Sequence, residues 1–203
     1  MHLLLRRGDF HMQIAFLLIG SYLIGNFLTA TVVGKSFFQQ NIRTEGSGNP
    51  GARNAGRVFG KKAFVVTFVG DAMKGALVIL LAKWIDVDAL LQLLALIAVM
   101  IGHIYPVFHN FRGGQGVSTF IGGMLAFSPL VVACFIGVFL VLYILFKNFT
   151  LAGLGAMALS PLFLYGLTKE WSQTLLACLV IAILLFAHLG DLRGFIKNKG
   201  RLN

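Results

Sequence analysis

Residues 13–34 read QIAFLLIGSYLIGNFLTATVVG, a run without a single charge. It is long enough to cross a bilayer, which takes about 20 helical residues. Further apolar runs cover residues 63–82, 89–108, 117–146, 150–167 and 173–187. The 203-residue chain is 58% hydrophobic and only 12% charged. A soluble domain carries about 25% charged residues. These features predict an all-α polytopic integral membrane protein. The run 117–146 is too long for one ordinary span, and Ser128-Pro129 divides it. The count is then about seven transmembrane helices, two of them short, in one membrane domain over residues 12–203.

Charge orients the spans. Loops after odd-numbered spans, with the C-terminal tail, hold twelve basic residues; loops after even-numbered spans hold two, Lys83 and Lys169. Basic residues gather on the cytoplasmic side, so the N-terminus is expected outside and the C-terminus in the cytoplasm. The net charge of +10 is accounted for by those loops and by anionic membrane lipid, and nucleic acid is excluded as a partner. Cys134 and Cys178 lie in apolar runs without C-x-x-C spacing and read as core or lipid-facing residues.

Three polar segments interrupt the apolar pattern. Residues 43–62, RTEGSGNPGARNAGRVFGKK, hold five glycines and five basic residues against one acid, Glu45. Such a segment is not expected to build a core. Its glycines let main-chain N–H groups turn toward one point and its arginines add charge there, which is what a phosphate needs. Residues 103–119 form a second segment. Pro106 should end the preceding helix near Tyr105. The third is the basic tail from His188. By the charge count all three share one membrane face, where a soluble phosphorylated molecule could meet an acyl chain. Asp71 and Lys74, three apart on a span, are expected to pair and to brace the site. Gly122-Gly123 and Gly153/Gly155 read as close helix packing.

Familiar chemistries mostly fail. Residues 51–58 lack the Lys-Ser/Thr of a P-loop. His103 and His109 are off-register for a shared metal, and His188 with Asp191 reads as a capped helix end. No metal or cofactor is expected. A Ser-His-Asp triad stays open, since its members can come from any loop.

The motifs G-S-G-N-P-G-A-x-N with Arg57, D-x-x-K-G from Asp71, and H-x-x-P-V-F-x-x-F-R-G-G-x-G-V-x-T from His103 resemble the bacterial acyl-phosphate:glycerol-3-phosphate acyltransferases, the PlsY family. The H-x-x-x-x-D motif of other glycerolipid acyltransferases is absent. The resemblance covers residues 12–188. It implies transfer of a fatty acyl group from acyl phosphate to the sn-1 hydroxyl of glycerol 3-phosphate, giving lysophosphatidic acid and phosphate. It implies the bacterial cell membrane, a cytoplasmic active site and an upstream acyl-phosphate-forming enzyme. By position it implies catalytic roles for Ser47, Arg57 and His188. It implies substrate contacts for Gly48, Asn49, Gly51, Arg53, Asn54, His103, Arg112, Gly113, Gly114, Gln115, Gly116 and Asp191. Asn54 and loop amides would hold the donor, and the glycines from Gly113 would let the backbone approach a phosphate.

Five positions depart from the pattern: Arg53 replaces a Thr, Gln115 a Lys, Asp191 an Asn and Gly194 an Arg, and the tail lacks its final Glu. Loss of a lysine weakens phosphate binding and an added carboxylate repels it. The alternative reading is therefore a divergent paralogue that binds acyl phosphate or phospholipid with little turnover, or uses another acceptor.

Residues 1–11 have a short Leu run, then Arg6 and Arg7 against the charge bias, and no small-residue cleavage site. Met12 is expected to be the true start. Intact-mass measurement of the native protein should give a chain beginning at Met12; a mass that includes residues 1–11 refutes this.

Overall fold

The computed structural model describes residues 2–190; Asp191 and the rest of the tail lie outside them. Every regular element among the described residues is a helix. Contacts divide the chain into two units, residues 1–132 and 133–203.

In the first unit, α1 (His2–Gly25) and α2 (Thr29–Phe38) occupy the first apolar run. They are followed by α3 (Ala52–Phe59), α4 (Lys61–Trp84), α5 (Ala89–Ile104) and α6 (Val117–Phe127). The next helix, α7 (Pro129–Phe146), runs into the second unit, which also holds α8 (Phe149–Ala158), α9 (Ser160–Thr168) and α10 (Trp171–Ala187). Five helical segments are long and apolar enough to cross a membrane, and Val117–Phe127 and Trp171–Ala187 are shorter apolar helices. Large apolar side chains stay exposed along the spans, among them Phe16, Leu80, Ile144 and Leu175. In lipid that exposure carries no hydrophobic penalty.

Helix ends follow local chemistry. Asp88 caps α5 by accepting from the Leu91 N–H at 2.9 Å, and Asn148 caps α8 through Leu151 at 3.1 Å. Pro106 ends α5 at Ile104, as expected. The break at Ser128-Pro129 also falls as expected, and Lys83 Nζ donates to Ala126 O at 2.7 Å and Phe127 O at 3.3 Å, closing the open carbonyls of α6.

Two spans differ from the expectation of continuous helices. The run 150–167 breaks at Leu159, where Pro161 offers no N–H and Ser160 Oγ donates to Met157 O at 2.7 Å. The first span breaks at Asn26–Leu28, between α1 and α2. That break explains the buried pair on α4. Lys74 Nζ lies 3.1 Å from Asp71 Oδ1 and donates to Gly25 O at 3.2 Å and Phe27 O at 2.6 Å. Asp71 Oδ1 accepts from Thr29 Oγ1 at 3.0 Å and Thr29 N at 3.4 Å. The lysine closes the end of α1 and the aspartate the start of α2.

Close packing supports this arrangement. A side chain on Gly25 or Gly102 would strike the facing main chain of α5 or α1, and one on Gly75 or Gly122 that of α6 or α4. Gly123 fits closely against Leu96, as expected. Gly153 does not: nothing lies within 4 Å of where its Cβ would stand, and Gly155 meets only Leu142. Gly155 is thus a close contact of α8 with the Leu142 side chain of α7, and only Gly153 departs from the expectation.

Asp71→Ala strands a buried ammonium and is expected to cost about 3–5 kcal/mol. A lower thermal midpoint of the purified protein in detergent reads it out. Asp71→Ala with Lys74→Met should recover much of the loss, because no uncompensated charge remains.

Candidate active site

The first polar segment is not an open loop. Its second half forms α3, and Ile42, Ala55 and Ala63 join Ala30 and Val33 in a buried apolar cluster against Val58 and Phe59. The expectation that this segment builds no core is corrected: alternation along α3 leaves one apolar face to bury, while Arg53 and Arg57, four apart, stand exposed on the other.

Asn54 organises the segment. Its Oδ1 accepts from the Ser47 N–H at 2.9 Å, and its Nδ2 donates to Glu45 O at 2.9 Å and Ile42 O at 3.4 Å. The expected phosphate contact of Asn54 gives way to this structural one, because the buried amide is committed to the loop. Gly46 and Gly48 take the left-handed region (φ 58° and 72°), and a side chain on Gly46 would strike Asn54 Oδ1. The result displays Ser47 in the open.

The second segment folds back on α5. The amides of Gly113 and Gly114 donate to Ile104 O at 2.9 Å and His103 O at 3.1 Å, closing carbonyls that Pro106 leaves without helical partners. These two N–H groups are thereby used within the protein. His103 is buried, with Nδ1 2.6 Å from Lys74 Nζ. Gly116 (φ 82°) begins α6 without a side-chain cap, so the helix start keeps its partial positive charge for a ligand.

Sequence reasoning gave no role to Arg43. It is half-buried, and its Nη2 is shielded from solvent with no hydrogen-bond partner. Burial, and then the like charge of Arg112, hold its guanidinium below its ordinary pKa. Burial, then the charges of Arg43 and Lys35, hold His109 below its ordinary pKa, and its Nδ1 is buried and unpartnered. Arg43 thus joins the first segment to the second through a cluster of positive charge. Neither Arg57 nor Arg112 has a carboxylate partner among the described residues. Asn49 Oδ1 is likewise buried and unpaired, beside Gly51. The missed signal was present: Arg43 was visible as one of five basic residues, but only folding sets it against Arg112. Arg53 and Gln115 each have a bonded or electrostatic partner.

His188 belongs to the second unit. It is buried at the end of α10, with Nδ1 2.8 Å from Leu184 O. A carbonyl cannot donate, so Nδ1 carries a proton and donates to it. The helix end expected of His188 with Asp191 involves Asp191, which lies outside the described residues.

Bilayer-length apolar helices joined by glycine-turned basic segments define a membrane-embedded protein. The family model for glycerol-3-phosphate acyltransferase matches residues 15–198, and the chain belongs to that family. It is 47% identical over 171 residues to glycerol-3-phosphate acyltransferase 1 of Bacillus cereus, covering 84% of this chain and 94% of that one. It is 38% identical over 187 residues to the protein of the same name from Desulfitobacterium hafniense, covering 92% of each. The crystal structure of PlsY (YgiH), an integral membrane glycerol 3-phosphate acyltransferase in its glycerol 3-phosphate form, superposes with a TM-score of 0.84 at 31% identity. That match covers 92% of this chain and 93% of the other.

Asn54→Ala should free the segment that displays Ser47, leaving a buried amide and two carbonyls unpaired at a cost of about 1–3 kcal/mol. Hydrogen exchange at the Ser47 amide is expected to accelerate, while exchange in α5 stays unchanged; equal acceleration in both refutes a local role.

Proposed function

We propose that this chain transfers a fatty acyl group from acyl phosphate to the sn-1 hydroxyl of glycerol 3-phosphate, in a bacterial cell membrane and on its cytoplasmic face. The observation that carries the reading is the pairing of Arg43 with the like charge of Arg112, neither with a carboxylate partner among the described residues, on two glycine-turned segments that also expose Ser47 and Arg57. The names of the relatives supply the acceptor; the phosphate chemistry of the site and the motif resemblance support the donor.

In the reaction the acceptor hydroxyl oxygen attacks the acyl carbon, and the carbon–oxygen bond to phosphate breaks. Lysophosphatidic acid forms, and inorganic phosphate departs with the bonding electron pair. The donor is already activated, so fixed charge and orientation can supply much of the rate. Arg57 and Ser47 are assigned to the acceptor. Arg43, Arg112 and the start of α6 are assigned to phosphate charge, which grows on the leaving group as the bond breaks. By resemblance His188 contacts the acceptor, whose hydroxyl proton leaves with the departing phosphate, and Gly48, Asn49, Gly51, Arg53, Gln115, Gly116 and Asp191 lie near the substrates. An upstream acyl-phosphate-forming enzyme supplies the donor.

Purified protein given acyl phosphate and glycerol 3-phosphate should release phosphate and lysophosphatidic acid in equal amounts. Arg57→Ala and Arg43→Ala should each lower kcat/KM by about a hundredfold, the scale of one lost charge-stabilising donor. Binding without turnover would favour the divergent paralogue, for which the uncharged Gln115 speaks; Gln115→Lys would then raise activity.

A further inference from the structure

His103 is the buried titratable group that the proposed reaction does not use. It lies too deep to meet a substrate, being 3% exposed. We propose that Lys74 and His103 are positioning residues: Lys74 fixes the tautomer and orientation of the His103 ring, and the ring sets where the Gly113–Gly114 strip stands beside the start of α6.

The chain of contacts is continuous. Lys74 is an ammonium with three protons and four neighbours: Phe27 O, Gly25 O, Asp71 Oδ1 and His103 Nδ1. At 2.6 Å from an ammonium, Nδ1 must present its lone pair, because two N–H groups facing each other repel. The ring proton therefore sits on Nε2. That edge faces Gly114. A Cβ on Gly114 would collide with Nε2 and stand 3.0 Å from Cε1 and 3.2 Å from Cδ2. The same glycine donates its N–H to the carbonyl of His103 itself, at 3.1 Å. The strip is thus held by the His103 main chain and stopped by the His103 ring. Two residues later Gly116 turns the chain into α6.

A lysine that only stabilised the broken first span would need no histidine, since Gly25 O, Phe27 O and Asp71 already offer it three acceptors; with His103 Nδ1 four acceptors share its three protons. A histidine that only filled space would have no preferred tautomer. Together they transmit the geometry of the span break to a phosphate-facing segment. The kinetic part of this inference rests on the acyltransferase reading; the structural part does not.

The test is a set of variants with two kinds of readout. Nitrogen NMR of protein labelled at histidine, in detergent micelles, should show His103 with a bare Nδ1 and a protonated Nε2, the signal being assigned by its loss in His103→Asn. Lys74→Met should move the signal toward Nδ1–H or a mixture of tautomers; an unchanged tautomer overturns the first half of the inference. Gly114→Ala should lower the thermal midpoint, because its methyl meets the ring. In a His103→Asn background, which keeps an acceptor for Lys74 but lacks the ring edge, Gly114→Ala should lower it far less. An equal loss in both backgrounds overturns the second half. In turnover, Lys74→Met is expected to raise KM for glycerol 3-phosphate about tenfold with kcat within about threefold, the pattern of misplaced ground-state binding. Loss of kcat alone in correctly folded protein also counts against positioning. If wild-type protein turns over nothing, the acyltransferase reading fails while the NMR and thermal arms still decide this one.

Discussion

One buried ammonium conditions the first unit. Lys74 sits among apolar helices at 5% exposure, where an unpaired charge costs several kcal/mol. A continuous first helix would offer it no main-chain acceptors, since its carbonyls would all be used within the helix. The break at Asn26–Leu28 leaves Gly25 O and Phe27 O open, and these are what Lys74 takes. The break is itself costly in an apolar surrounding unless its loose ends are satisfied. Asp71 supplies the other half by receiving the first N–H of α2. The break and the ion pair each lessen the penalty of the other.

The same economy of open helix ends places the loops. Pro106 strips the last carbonyls of α5 of their helical partners, and the second polar segment folds back to cover them. Residues that look like ligand-binding groups in the sequence are therefore divided by the fold. Asn54, Gly113, Gly114 and His103 are used within the protein. Ser47, Arg57 and Arg112 remain exposed. A site for a phosphate needs both sets, because a donor that is to be fixed before the ligand arrives must be held by something that is not the ligand.

The spans were legible because apolar length is a local property, and so were the ends at Tyr105 and Ser128, where proline acts on its immediate neighbours. The break at Leu159 carried the same Ser-Pro signal as Ser128 but fell inside a run of ordinary span length, so length masked it. The break at Asn26–Leu28 had no such signal, since what stabilises it comes from Lys74, far along the chain. The pairing of Asp71 with Lys74 could be read from helical spacing; their link to His103 could not, because it joins α4 to α5. The motif positions were legible as a group through family resemblance. Their division into structural and exposed members was not, since it depends on which carbonyls the helix ends leave open.

The arginines complete the argument. Arg43 is half-buried with one nitrogen unpartnered, and Arg112 presses a like charge on it. Such a pair raises the free energy of the empty protein, and no carboxylate among the described residues relieves Arg112. An anion placed between them removes the repulsion and gains charge-assisted hydrogen bonds at once. Under the proposed function that repulsion would favour an anion, and the segments that carry it rest on the apolar cluster under α3 and on the covered end of α5. Because Gln115 brings no charge of its own to the second segment, the positive field there must come from Arg112 and, across from the first segment, Arg43. The folded geometry supplies by proximity what the sequence of the second segment lacks.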